Sequence, residues 1–97
     1  MIEPEQCHSM KEVRQGVDAL DEQIVTRLAR RFRFMNAAAR IKEERHLVRD
    51  EERKAAVIEH VRGEAGRQGA PADVIAVLYD ALIEASIKFE FERFDER

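Results

Sequence analysis

Three cationic side chains in the first half of the chain, Arg14, Arg31 and Lys42, have a spacing that could hold a small anion. Arg31 and Lys42 are 11 positions apart, close to three helical turns, so in a helix they share one face about 16 Å apart. Two long side chains leaning toward each other from these positions could grip a small dianion. Arg14 lies about 25 Å before Arg31 on a different face and cannot reach the same ligand within one chain. It could reach the equivalent site of an antiparallel partner.

Ser86 and Glu90 form a second polar pair, on the apolar side of a predicted helix. Residues at i and i+4 lie one above the other on a helix, so both side chains point the same way. A buried glutamate needs a cationic partner or a proton. One interpretation is a ligand site, and the alternative is a packed serine beside a partly exposed glutamate.

A long helical segment carries the three cations. From Ser9 to about Glu44 the chain has no proline and one glycine, Gly16. Its apolar residues recur at spacings of three and four, as in an amphipathic helix, at Val13, Val17, Leu20, Ile24, Leu28, Phe32, Met35 and Ala39. Such a helix is roughly 50 Å long, whereas a domain of this size has a radius of gyration of about 13 Å. We therefore expect its apolar stripe to pack against a second copy of the chain.

Local signals predict where the first two helices begin. Residues 1–8 are expected to form a short irregular arm. Ser9 and Glu12 match the capping-box pattern that opens a helix. The helical period lapses over residues 45–49, which predicts a loop, and Asp50 is a suitable N-cap for the second helix.

The second helix is predicted to run to about Gln68, with Gly66 and Gly69 as stop signals. Pro71 suits the first turn of a third helix that continues to about Phe94. No segment has the alternation of a strand. The sequence therefore predicts an all-α chain with one long, one short and one medium helix.

Composition restricts the possible functions of this single 97-residue domain. The net charge of −3 provides no global basic field for nucleic acid, and the single cysteine, Cys7, excludes an intramolecular disulfide or a thiolate metal cluster. The three histidines are too widely spread for a metal site. No apolar run approaches the ~18 residues of a membrane span, and residues 1–5 lack signal-peptide order, so we expect a cytoplasmic protein. The charges of residues 93–97 are interpreted as mostly solvated.

The chain resembles the all-helical, type II chorismate mutases over almost its whole length. The resemblance rests, in order, on Arg14, Leu20-Asp21, Arg31, Lys42, the segment Val48-Arg49-Asp50-x-x-Arg53 and the segment Leu82-Ile83-Glu84-x-Ser86-x-x-x-Glu90. The isochorismate-pyruvate lyases of salicylate synthesis are related and have a similar pattern. No single element is specific to the family, but four matched cations in register are.

The resemblance implies one chorismate mutase domain over residues 1–97, in an intertwined homodimer of three-helix chains with two identical sites. It implies an isomerase of aromatic amino acid biosynthesis that converts the dicarboxylate chorismate to prephenate. This unimolecular rearrangement needs no metal and no cofactor. One pocket would be lined by Arg31, Lys42, Asp50, Arg53, Ser86 and Glu90, with Arg14 entering from the partner chain.

By resemblance, three residues act on the bond changes. Lys42 and Glu90 would face the ether oxygen, where charge builds as the C–O bond breaks. Arg53 would contribute positive field near a carboxylate or the enolpyruvyl carbons.

The remaining site residues would bind the substrate. Arg14 and Arg31 would hold carboxylates in forked ion pairs. Ser86 would bond the ring carboxylate, and Asp50 would help to fix the hydroxyl side through its backbone.

Two positions depart from the mutase pattern. Glu90 replaces a usual glutamine, whose amide donates a hydrogen bond that a carboxylate cannot donate unless it is protonated. Lys54 replaces a usual glutamate that accepts a hydrogen bond from the ring hydroxyl. If position 54 faces that hydroxyl, the substitution Lys54→Glu is expected to improve chorismate turnover.

Two alternatives to a mutase remain open on the sequence. An isochorismate-pyruvate lyase is favoured by the arm at residues 3–7 and by Lys54, whereas the loop at residues 48–53 favours the mutase. The second alternative is a non-catalytic helical dimerisation module. Four cations aimed inward argue against it, since a structural dimer has no use for them.

Overall fold

A computed structural model describes residues 2–97, and every regular element in this range is helical. A 3₁₀ turn at Pro4–Gln6 precedes helix α1 (Met10–Ile41), and a second 3₁₀ turn at Arg45–Leu47 leads to α2 (Glu51–Gln68) and α3 (Ala72–Asp95). The prediction of an all-α chain with one long, one short and one medium helix is confirmed. None of these helices combines the length and hydrophobicity that crossing a bilayer requires.

Helix α1 begins where the capping pattern predicts. The backbone N–H of Glu12 donates to Ser9 Oγ at 3.2 Å, and the Glu12 carboxylate accepts from the His8 N–H at 3.0 Å. The helix ends at Ile41, three residues before the predicted end at Glu44, whose backbone is extended. Ending there leaves Lys42 at the edge of the loop instead of inside a helix.

The chain divides into two compact units, the first ending at Arg33 and the second comprising Phe34–Arg97. In the first unit the apolar stripe of α1 has little cover. Val17, Leu20 and Ile24 are respectively 49%, 46% and 53% exposed. Apolar surface of this extent is stabilised when another apolar surface covers it.

The second unit has its own small core, formed where α2 packs on α3. Val48, Ile83 and Ile87 are buried, and the partly buried residues packed against them are Val57, Ile58, Phe91 and Phe94. Val48 belongs to the loop between α1 and α2, so the core anchors that loop to α3. This anchoring brings the end of α1 close to the residues of α3.

The boundaries between α2 and its neighbours follow local signals. Asp50 Oδ1 accepts the backbone N–H of Arg53 at 2.9 Å, which confirms Asp50 as the N-cap. Gly69 ends α2 in the left-handed conformation with φ of 72°, which only glycine adopts without strain. Gly66 lies inside the helix, so its interpretation as a stop signal was wrong, because its neighbours keep helical hydrogen bonds. Pro71 is the N-cap of α3 and not a residue of its first turn.

Candidate active site

The second unit brings together Lys42, at the end of α1, and Glu90, on the inner face of α3. The Lys42 ammonium nitrogen lies 2.7 Å from Glu90 Oε2 and donates to the Val48 carbonyl at 3.4 Å. Glu90 is only 4% exposed, whereas the Lys42 side chain is 29% exposed. A cation and an anion separated by 48 positions in the sequence therefore meet at one partly buried point.

The carboxylate of Glu90 is compensated mainly by charge. Its Oε2 atom is buried and has no hydrogen bond from any described residue, 2–97, because Lys42 approaches at ion-pair distance but outside hydrogen-bond angles. A buried carboxylate is costly unless a cation or hydrogen-bond donors surround it. Lys42 is thus the cation on which the buried charge of Glu90 depends.

Ser86 lies one helical turn before Glu90 and is buried as well. Its hydroxyl donates to the Leu82 carbonyl at 2.7 Å, a bond that serine commonly makes inside a helix. Both residues of the polar pair therefore face the interior of the second unit. The alternative of a partly exposed Glu90 was wrong, because α3 turns this face toward the core.

Asp50 and Arg53 lie at the exposed start of α2. The Asp50 side chain is engaged as the N-cap, so its backbone is the part left for the role that the resemblance implies. The guanidinium of Arg53 has no ion-pair partner among residues 2–97. An unpaired cation at this position is available to a ligand, and its catalytic role stays a prediction.

Lys54 lies between two acids of α3. Its ammonium is 3.0 Å from Asp80 Oδ1 and 2.9 Å from Glu84 Oε2. Arg49 also binds Glu84, through Nη2 to Oε1 at 2.8 Å and Nη1 to Oε2 at 3.1 Å. The hydrogen bonds from Arg49 and then from Lys54 lower the pKa of Glu84 to about 2. The hydrogen bonds that Lys54 makes to Glu84 and then to Asp80 raise the pKa of Lys54.

This network was not predicted from the sequence. The Lys54 ammonium already has two carboxylate partners, Asp80 and Glu84, with which a ligand would have to compete. A role of Lys54 in substrate binding stays a prediction. The Arg49–Glu84–Lys54 contacts also join the loop before α2, α2 itself and α3.

Arg14 and Arg31 belong to the part of α1 in the first compact unit. Arg14 is exposed, and Arg31 is half-buried. Their convergence on one ligand with Lys42 stays a prediction.

Sequence reasoning missed the role of Arg97. Arg97 is exposed, as expected, but its guanidinium also donates to carbonyl oxygens around the end of α1, including those of Ala39 and Lys42. No local signal could reveal this contact, because Arg97 and Lys42 are 55 positions apart. Among residues 2–97, no three His, Cys, Asp or Glu side chains come together as metal ligands.

Comparison with known proteins shows the family of the chain. The family model of chorismate mutase type II matches residues 13–91. The chain belongs to this family. Isochorismate pyruvate lyase from Pseudomonas aeruginosa is 30% identical over 83 residues, which cover 86% of this chain and 82% of that protein.

The resemblance drawn from the sequence is therefore confirmed at the level of the type II family. The matched range includes the pair Lys42 and Glu90 and both arginines, Arg14 and Arg31. It ends at residue 91, so Arg97 and its contacts with α1 lie outside the part that the family model describes.

Proposed function

We propose that this chain is a chorismate mutase that rearranges chorismate to prephenate. The buried contact between Lys42 and Glu90, beside Ser86, is the observation that carries the proposal. The Lys42 ammonium is a charged hydrogen-bond donor at a partly buried point beside the Glu90 carboxylate, where electrostatic stabilisation is stronger than in open water. The reaction breaks the ether C–O bond and forms a C–C bond within one molecule. It therefore needs fixed donors and a held conformer, and neither a nucleophile nor a cofactor.

In this mechanism the Lys42 ammonium donates to the ether oxygen as negative charge builds there. Arg31 and the partner copy's Arg14 hold the two carboxylates, which selects the folded conformer and removes its rotational freedom. Ser86 bonds the ring carboxylate, Asp50 contributes its backbone, and Arg53 adds positive field.

Glu90 has two states in this proposal. As a carboxylate it holds Lys42, as in the contact at 2.7 Å. As a neutral carboxylic acid it donates to the ether oxygen in the way that the usual glutamine does. In the substrate complex the Lys42 ammonium donates to the ether oxygen, and Glu90 donates there as well only after it has taken up a proton from solvent.

We also propose that the enzyme is a homodimer that needs Arg14 in trans. The half-exposed apolar stripe of α1 favours this proposal, because an antiparallel partner helix would cover it. Arg14→Ala and Arg31→Ala homodimers should each be nearly inactive. Mixed and refolded together, they should regain activity, because one site of the heterodimer has both arginines. Proven heterodimers without activity would contradict the shared site.

The second candidate is isochorismate-pyruvate lyase activity, which gives salicylate and pyruvate. It is favoured by the similarity to the Pseudomonas aeruginosa lyase and by the lysine at position 54. The mutase and the lyase would use nearly the same pocket.

One experiment separates the candidates. The purified protein is incubated with chorismate and with isochorismate separately, and prephenate, salicylate and pyruvate are followed. Prephenate formation from chorismate supports the mutase, and salicylate with equimolar pyruvate from isochorismate supports the lyase. If neither substrate is consumed, the catalytic proposal fails and the dimerisation module remains.

A further inference from the structure

The end of α1 is bound by Arg97, the second residue after α3 and the last residue of the second unit. Arg97 Nη1 donates to the Ala39 carbonyl at 2.9 Å and also to the Lys42 carbonyl, and Nη2 donates to the Glu43 carbonyl at 3.3 Å. The last carbonyls of a helix lack partners within the helix, and a cation there also interacts well with the helix dipole. Arg97 supplies both the donors and the charge.

The Arg97 guanidinium is itself held in place. It lies 3.8 Å from the centre of the Phe94 ring, at cation–π distance. Because the planar group rests on a ring that packs against the core, it loses little further freedom when it binds the carbonyls.

A second contact joins the same two regions. Arg45, in the loop after α1, donates to both carboxylate oxygens of Asp95 at 2.8 and 3.2 Å, and its guanidinium lies 4.4 Å from the centre of the Phe91 ring. Asp95 is the last residue of α3. Arg45, Asp95 and Arg97 thus form a C-terminal clasp between the end of α3 and the segment after α1.

Lys42 lies within the segment that the C-terminal clasp holds. Its carbonyl accepts from Arg97, while its ammonium reaches Glu90 and the Val48 carbonyl. A lysine side chain has four flexible methylenes, so the place of its ammonium depends on where its backbone is fixed. The clasp fixes that backbone at the residue that contacts Glu90.

We propose that Arg97 is a positioning residue for Lys42: by binding the Lys42 carbonyl, it aims the Lys42 ammonium at Glu90 and at the breaking ether bond. The second half of this inference rests on the proposed function, and the first half does not. Arg97 touches no reacting atom and acts only through Lys42.

The kinetic test compares Arg97→Ala with Arg97→Lys and with the control Arg67→Ala, which removes an exposed arginine of α2. Arg97→Ala should lower kcat at least tenfold with less than about a twofold change in KM, because Lys42 acts in the transition state and small misplacements there are costly. Arg97→Lys should recover part of kcat, since one ammonium keeps the charge but binds fewer carbonyls. Arg67→Ala should match the wild type.

A second variant keeps the positioning role testable if Arg97→Ala does not fold. Asp95→Asn weakens the other tie of the clasp without touching Arg97, and it should lower kcat in the same direction but less. Circular dichroism at the assay temperature shows whether each variant is folded. A folded Arg97→Ala protein with wild-type kcat overturns the positioning role.

Amide hydrogen exchange tests the clasp without any substrate, so it separates failure of this inference from failure of the proposed function. The Lys42 amide donates to the Ala38 carbonyl at 2.9 Å. In Arg97→Ala its exchange should become at least tenfold faster, while amides in the middle of α2 keep their rates. Unchanged exchange at Lys42 overturns the clasp. Faster exchange supports it even if neither substrate is turned over.

Discussion

Removing Lys42 should destabilise the protein strongly, because it leaves the carboxylate of Glu90 buried without its cation. Breaking a buried ion pair by deleting one partner costs about 3–5 kcal/mol. The Lys42 side chain is 29% exposed, so water partly replaces it, and we expect Lys42→Met to cost about 3 kcal/mol at neutral pH. Glu90→Gln removes the buried charge and leaves Lys42 within reach of water, which should cost only about 1 kcal/mol.

The double variant Lys42→Met/Glu90→Gln tests whether the cost of Lys42→Met comes from the unpaired charge of Glu90. If the two changes were independent, their costs would sum to about 4 kcal/mol. Because Glu90→Gln removes the charge that Lys42→Met leaves without a partner, the double variant should lose only about 1–2 kcal/mol. It should therefore be more stable than the single variant Lys42→Met.

Urea unfolding followed by circular dichroism at 222 nm measures these differences. All variants must be compared at one protomer concentration, because the stability of an oligomer depends on it. Lys88→Met, an exposed lysine of α3, is the matched control and should stay within ~0.5 kcal/mol of wild type. The reasoning is refuted if the double variant is less stable than Lys42→Met alone, or if Lys42→Met behaves like the control.

Three further predictions concern Glu90, Lys54 and Glu84. Glu90→Gln should keep or raise kcat/KM for chorismate, because the amide donates a hydrogen bond to the ether oxygen as the usual glutamine does. A folded Glu90→Gln protein with much lower kcat/KM would contradict the ether-facing position. Lys54→Glu should lower Tm, because it adds a third carboxylate beside Asp80 and Glu84; improved chorismate turnover at unchanged Tm would instead place Lys54 against the ligand. The pKa of Glu84 is about 2 in the folded chain, below its ordinary value near ~4.3, so its stabilising effect is present above that value and lost as pH falls toward 2. Urea unfolding at about pH 6 and pH 3 should therefore show a smaller acid loss for Glu84→Gln than for wild type, and equal losses would contradict the Arg49–Glu84 assignment.

Much of the fold could be predicted from the sequence because its signals are local. Ser9 with Glu12, Asp50 and Gly69 each act on backbone groups within a few positions, and all three mark helix boundaries in the structure. The end of α1 was less predictable. The end of α1 depends on the packing of Val48, in the following loop, against Ile83 and Ile87 of α3, and this packing is not a local property.

The family too was evident from the linear order of a few cations, Ser86 and Glu90, and these positions fall within the matched range. Residue type and order are written in the sequence, so a resemblance can be recognised without coordinates. What each of these side chains contacts is a different question, and the order of residues does not answer it.

Only the tertiary structure decided the ion-pair partners. The chain is 38% charged, so each cationic side chain has many possible acidic partners, and its actual partner is the one that packing brings close. Docking α3 against α2 and the loop brought Glu90 to Lys42, Glu84 to Lys54 and Arg97 to the end of α1. These partners are 30 to 58 positions apart, beyond the range over which helical periodicity carries information.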